Sequence, residues 1–190
     1  GKIAASTGST TCTPCGGGTI QSVAGQDACV ACAEGKSTTK MVTGSATTST
    51  TECTPCASGT FAATTGSKVC QRCPDGSTQK EVGAAGCNTC APGKHAGTGV
   101  QCVDCEKGKY ATAGAATCME CDPGEYQSGT GATSCDICPI GKYSVKYSYA
   151  CSLCPMGKYQ PTPNSGQCEQ CPIGRYSHGT EASVCDLCEV

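Results

Sequence analysis

Cys135-Asp136-Ile137-Cys138-Pro139-Ile140-Gly141-Lys142-Tyr143-Ser144 returns sixteen residues later as Cys151-Ser152-Leu153-Cys154-Pro155-Met156-Gly157-Lys158-Tyr159-Gln160. Both copies read Cys-x-x-Cys, then Gly three residues on, then Tyr two beyond it. All 22 cysteines of the chain fall into such pairs, which begin at Cys12, Cys29, Cys53, Cys70, Cys87, Cys102, Cys118, Cys135, Cys151, Cys168 and Cys185. A motif returning about every 17 residues marks a tandem-repeat architecture.

The rest of each repeat follows the same grammar. Gly18, Gly35, Gly59, Gly76, Gly93, Gly108, Gly124, Gly141, Gly157 and Gly174 each stand three residues after a pair closes. The Tyr position holds Ile20, Ser37, Phe61, Thr78, His95, Tyr110, Tyr126, Tyr143, Tyr159 and Tyr176. A second Gly often sits four before the next pair, as at Gly25, Gly66, Gly83, Gly114 and Gly131. A Gly that permits φ > 0, a β-favouring residue, and a Gly/Ser/Thr/Asn-rich turn describe one small hairpin per module. The predicted fold is small and disulfide-rich, mostly β-hairpins and loops, in an elongated rod without a conventional core. It spans 1–190 as a single array of about eleven modules.

Composition demands another source of order than a hydrophobic core. Leu, Ile, Val and Phe total 18 residues, with no Trp. That is too few to offset about 1–2 kcal/mol of backbone entropy per ordered residue. Cysteine at this density belongs to disulfide scaffolds of oxidising compartments, so the chain is expected to be extracellular, secreted or on a cell surface. A net charge of -2 without a basic patch argues against nucleic acid. No apolar run reaches the length of a membrane span.

We expect the second Cys of each pair to bond the first of the next: Cys15–Cys29, Cys32–Cys53, Cys56–Cys70, Cys73–Cys87, Cys90–Cys102, Cys105–Cys118, Cys121–Cys135, Cys138–Cys151, Cys154–Cys168 and Cys171–Cys185. Each bridge would close a ring of about 15 residues, worth about 3 kcal/mol in the chain-entropy model. A 1–3, 2–4 scheme that links pairs in twos would strand one of eleven, but spacing alone does not settle connectivity. Two other chemistries use this motif. Zinc fits the spacing, yet His95 and His178 are the chain's two histidines and the number of pairs is odd. Thiol exchange needs a helix N-terminus in a βαβ setting that is not visible here. We expect no catalytic residue, metal or cofactor, and not an enzyme. Asp104, Glu120, Asp122 and Asp136 cluster at the Cys-x-x-Cys corners without the calcium-loop pattern, and read as solvated corners.

The segment 33–52 is the longest module and reads as an exposed loop. Its Thr43, Ser45, Thr47, Thr48, Ser49, Thr50 and Thr51 are candidate O-glycan sites, with ordinary solvated hydroxyls as the alternative. Tyr110, Tyr126, Tyr143, Tyr159 and Tyr176 are expected to form a ladder, each ring on the next module's disulfide or Pro. Placed end to end, 189–190 and 1–11 make one further module of 13 intervening residues, with Gly1 three after Cys188 and Gly8 four before Cys12. This predicts a head-to-tail polymer or a large repeated unit, with Cys188 bonded to Cys12 of the next copy; the plainer alternative is an arbitrary fragment of a long irregular array.

The two decapeptides quoted above, with Gly129-Thr130-Gly131-Ala132-Thr133-Ser134-Cys135 as the closing stretch, resemble the ephrin-receptor-like cysteine-rich repeat. The resemblance is strongest from Cys102 to Cys188. The pattern is also similar to ciliate immobilisation antigens and to flagellar-hair (mastigoneme-type) proteins of protists. It implies extracellular arrays with one bridge per module, as in the simplest tumour-necrosis-factor-receptor modules, and no activity. The expected function is a structural repeat of an extracellular filament or coat. The competing expectation is a receptor or adhesin ectodomain that binds a protein or glycan, or an anchored surface antigen.

Overall fold

The computed structural model describes residues 1–4, 6–42, 45–48 and 52–189. Among them the regular structure is a series of twelve two-stranded antiparallel hairpins, and no helix forms. The expected class of small disulfide-rich β-hairpin repeats is the class observed.

One module illustrates the local logic. Lys142 N–H donates to the Pro139 carbonyl at 3.2 Å, and Gly141 between them has φ +76°. A four-residue turn with φ > 0 at its third position is the type II arrangement, which selects Gly there. The chain then pairs Lys142 with Leu153 and Tyr143 with Ser152. Cys154 N–H returns to the Gly141 carbonyl at 3.0 Å. Two paired residues per strand are too few to hold a hairpin alone in water. A bridge per module supplies the restraint: Cys15–Cys29, Cys32–Cys53, Cys56–Cys70, Cys73–Cys87, Cys90–Cys102, Cys105–Cys118, Cys121–Cys135, Cys138–Cys151, Cys154–Cys168 and Cys171–Cys185.

The segment 33–52 departs from its reading as a loop. Thr39–Val42 pairs with Ser45–Thr48 over four residues, twice the length of every other strand pair described. β-branched Thr and Val favour an extended backbone.

The chain packs as two compact units, Gly1–Thr89 with Ala96–Gln101, and Cys90–His95 with Cys102–Val190. The same three backbone bonds join neighbouring modules in both units. In the second unit, Gly141 N–H donates to Gln160 C=O at 2.9 Å, Ser144 N–H to Ser165 C=O at 3.2 Å, and Asn164 N–H to Cys138 C=O at 2.9 Å. In the first, Gly59 N–H donates to Gln79 C=O at 2.6 Å, Ala62 N–H to Ala84 C=O at 3.1 Å, and Gly83 N–H to Cys56 C=O at 2.7 Å.

The interior follows from this stacking. Cys32, Cys56, Cys90, Cys105, Cys121, Cys138 and Cys154, each the second of its pair, are fully buried. Beside them lie Thr38, Ala62, Gln79, Ala96, Ala111, Ser144, Gln160 and Ser177, each one residue past the Tyr position. The larger aliphatics Ile137, Ile140, Leu153, Met156, Ile173 and Leu187 are exposed. The core of each unit is made of sulfur and small or amide side chains.

Candidate functional site: the repeated module face

The surface that recurs most faithfully is the one each module offers to the modules after it. Its floor is the Gly that follows the Cys-x-x-Cys corner. A Cβ at Gly141 would collide with the Glu181 backbone two modules on, and one at Gly124 with Asn164. The same clash would occur between Gly108 and Tyr147, Gly93 and Gly131, Gly35 and Gly83, and Gly18 and Gly66. This Gly therefore serves two ends: it turns the chain with φ > 0, and it lets the carbonyl of a distant turn reach the backbone.

A second recurring element was invisible in the Cys/Gly/Tyr grammar. Gln79 Nε2 donates to Gly86 C=O at 2.7 Å while its Oε1 accepts from Glu81 N–H at 2.8 Å. Gln160 does the same with Gln167 C=O (2.7 Å) and Thr162 N–H (3.2 Å), and Gln21 with Ala28 and Val23. A primary amide spans its own hairpin loop in each case. Where a hydroxyl takes this position it reaches back instead. Ser144 Oγ donates to Glu125 C=O at 2.8 Å, and Thr38 Oγ1 accepts from Gly18 N–H at 2.9 Å. The signal was a polar residue one past seven of the ten Tyr positions, with Ala at the other three, and its burial could not be read without the stacking.

Tyr110, Tyr126, Tyr143 and Tyr159 are half-buried and Tyr176 is exposed. Each pairs across its own hairpin, Tyr110 with Met119, Tyr126 with Asp136, Tyr143 with Ser152, Tyr159 with Glu169 and Tyr176 with Asp186. The Tyr176 ring meets His178 at 5.8 Å between centroids. A hydrogen bond to Glu169, with its negative charge, raises the Tyr159 pKa above its ordinary value.

The most charged cluster joins three modules. Lys109 Nζ lies 5.0 Å from the centre of the Tyr147 ring, and Lys146 Nζ lies 3.0 Å from Glu120. Hydrogen bonding to Tyr147 raises the Lys109 pKa, and the bond from Lys146 lowers that of Glu120. Of the other corner carboxylates, Asp104 pairs with Lys94 at 2.6 Å. His178 Nδ1 lies 3.7 Å from Asp186. Among the described residues no three His, Cys, Asp or Glu side chains gather as a metal site would require, and no helix is long and apolar enough to cross a membrane.

Cys12 and Cys188 are exposed and unbridged. Cys12 closes the hairpin of Lys2–Ile3 with Thr13–Pro14, which has the register of the other modules, and Cys15 N–H donates to Gly1 C=O at 3.0 Å. Thr43, Ser49, Thr50 and Thr51 lie outside the described residues. Ser45, Thr47 and Thr48 are placed by their backbone in the strand Ser45–Thr48.

The family model described as tyrosine-protein kinase ephrin type A/B receptor-like matches residues 1–49, 43–90, 108–146 and 141–188. These matches fall on the Cys-x-x-Cys modules. No individual curated protein matches the chain.

Proposed function

The chain belongs to the ephrin-receptor-like family of cysteine-rich repeats, and on that premise we propose that it is a structural repeat unit of an extracellular filament or surface coat of the protist type. The repeat type itself is non-catalytic, and ten disulfides place the chain among extracellular or cell-surface, disulfide-rich ectodomains. In this reading copies join head to tail, by peptide bond or through Cys188 and Cys12, and O-linked glycans clothe the Thr-rich segment. The observation that carries it is the tandem series of like hairpins, each closed by its own disulfide and joined to its neighbour by backbone hydrogen bonds.

Electron microscopy of the native material, with reducing and non-reducing gels, tests the reading. Fibres or sheets with a regular repeat are expected. Reduction should release 18.9 kDa units if sulfur joins the copies, and should leave large chains if peptide bonds do. Dispersed particles with no periodic order would overturn it.

A receptor or adhesin ectodomain is the second reading, favoured by one observation. Exposed Ile137, Ile140, Leu153, Met156, Ile173 and Leu187 make such residues denser in the later modules, where earlier corners offer the exposed Val30, Val103 and Met119 among mostly polar or small residues. Exposed apolar patches mark interaction surfaces.

A further inference from the structure

Gln21, Gln79, Gln127 and Gln160 each close their own hairpin loop with one side-chain amide. In every case Oε1 accepts from the N–H two residues on, and Nε2 donates to the carbonyl just before the next Cys. The loop 145–150 has Ser144 at that position, and the Ser144 Oγ turns away to Glu125 C=O at 2.8 Å. The groups a glutamine would have clamped are the Lys146 N–H and the Ala150 carbonyl. Among the described residues neither has a hydrogen-bond partner, so both are left to water. The loop lies inside the array, with described modules before and after it.

An open cavity of about 340 Å³ occupies this loop, and its lining includes Lys146, Tyr147, Ser148, Tyr149, Ala150 and Ser152. That volume suits a small ligand, since such sites run from roughly 300 to 1,000 Å³. The aromatic residues of the chain single out the same place. Phe61 and five tyrosines stand at the Tyr position, whereas the remaining two, Tyr147 and Tyr149, both line the cavity. Tyr147 holds φ +74°, a left-handed backbone uncommon for a bulky residue, where the earlier modules often have Gly. Tyr149 is 65% exposed. Lys146 meets Glu120 at 3.0 Å, and Lys109 Nζ lies 5.0 Å from the Tyr147 ring centre. Both cations have partners within the chain, so the cavity selects by shape and polar contact rather than by charge.

We propose that this cavity binds the acetamido group of an N-acetylhexosamine in an extracellular glycan. The ligand amide takes the place of the absent glutamine amide: its carbonyl accepts from Lys146 N–H, and its N–H donates to Ala150 C=O. A hydroxyl carries donor and acceptor on one atom, whereas the four glutamine clamps span their loops with two. The C–H face of the pyranose ring lies on the exposed Tyr149 ring, an apolar platform with a polar tip. A glutamine from a protein partner would supply the amide but no ring for Tyr149, which is why the saccharide is favoured. The inference goes beyond the filament reading and does not depend on how copies join.

The test titrates the full chain, with its ten internal bridges verified by mass, with chitotriose, the N-acetylated trisaccharide. Cellotriose, the same backbone with hydroxyls in place of acetamido groups, runs beside it. Calorimetry should give a dissociation constant on the order of 1 mM for chitotriose and no measurable binding of cellotriose. The amide resonance of Lys146 should move with chitotriose alone. Tyr149→Ala, at an exposed side chain, should melt as the parent does and bind about tenfold more weakly. Ser144→Gln should abolish binding, because the chain's own amide then occupies the loop as it does at Gln79 and Gln160. Equal binding of the two trisaccharides would overturn the proposal, as would undiminished binding to Ser144→Gln. So would a glutaminyl peptide that moves the Lys146 resonance when chitotriose does not. Fibres seen without chitotriose binding would leave the filament reading standing and refute this site; binding without fibres would do the reverse.

Discussion

Gln79 is 8% exposed, yet it satisfies both ends of its amide within one hairpin loop. A buried amide left unpaired is costly, so the loop and the side chain hold each other in place. Gln79→Ala should lower stability by about 1–3 kcal/mol, because the Gly86 carbonyl and Glu81 N–H lose their partner. Gln127→Ala, at a half-buried copy of the same clamp, should lose less, since water can replace the amide. Thermal melting with disulfides intact distinguishes them. At this scale the first Gly was legible as a turn residue, because φ > 0 is a local demand. Its second duty, as the seat for a turn some forty residues later in sequence, was not, because it depends on how modules stack.

The hairpin is the smallest element with its own chemistry. Tyr159 faces Glu169 across a two-residue ladder, and their hydrogen bond raises the phenol pKa. The bond favours the neutral phenol, so its stabilisation is complete below the ordinary tyrosine value near 10. It is lost as pH rises through the higher folded value. Tyr159→Phe should therefore be less stable than the parent at neutral pH, and the two should converge in strongly alkaline buffer. An alkaline titration of absorbance on the parent and Tyr159→Phe, run beside melts at each pH, would show it. The hairpin Thr39–Val42 with Ser45–Thr48 teaches the opposite lesson about legibility. Its Ser/Thr content reads as solvated loop, while its β-branched residues favour strands, and cross-strand pairing decided between them.

For the molecule as a whole, sulfur takes the place of an apolar interior. Thiol titration in denaturant should find the cysteines of the ten bridges only after reduction. Reduction should abolish protection of the backbone amides in hydrogen exchange, whereas a strong chelator should change nothing. Loss of order on chelation would return the cysteines to zinc. The sequence by itself determined the class of this protein, its repeat length and its family. Cysteine spacing and Gly position act within one module, where local sterics and ring closure operate, and the scarcity of large aliphatics leaves no competing core. Only the tertiary structure decided which side chains are buried, what each Gly receives and where the later aliphatics point. Those choices are made by backbone groups of modules one and two repeats apart, and a hydrogen bond between them depends on superposed geometry that no single repeat encodes.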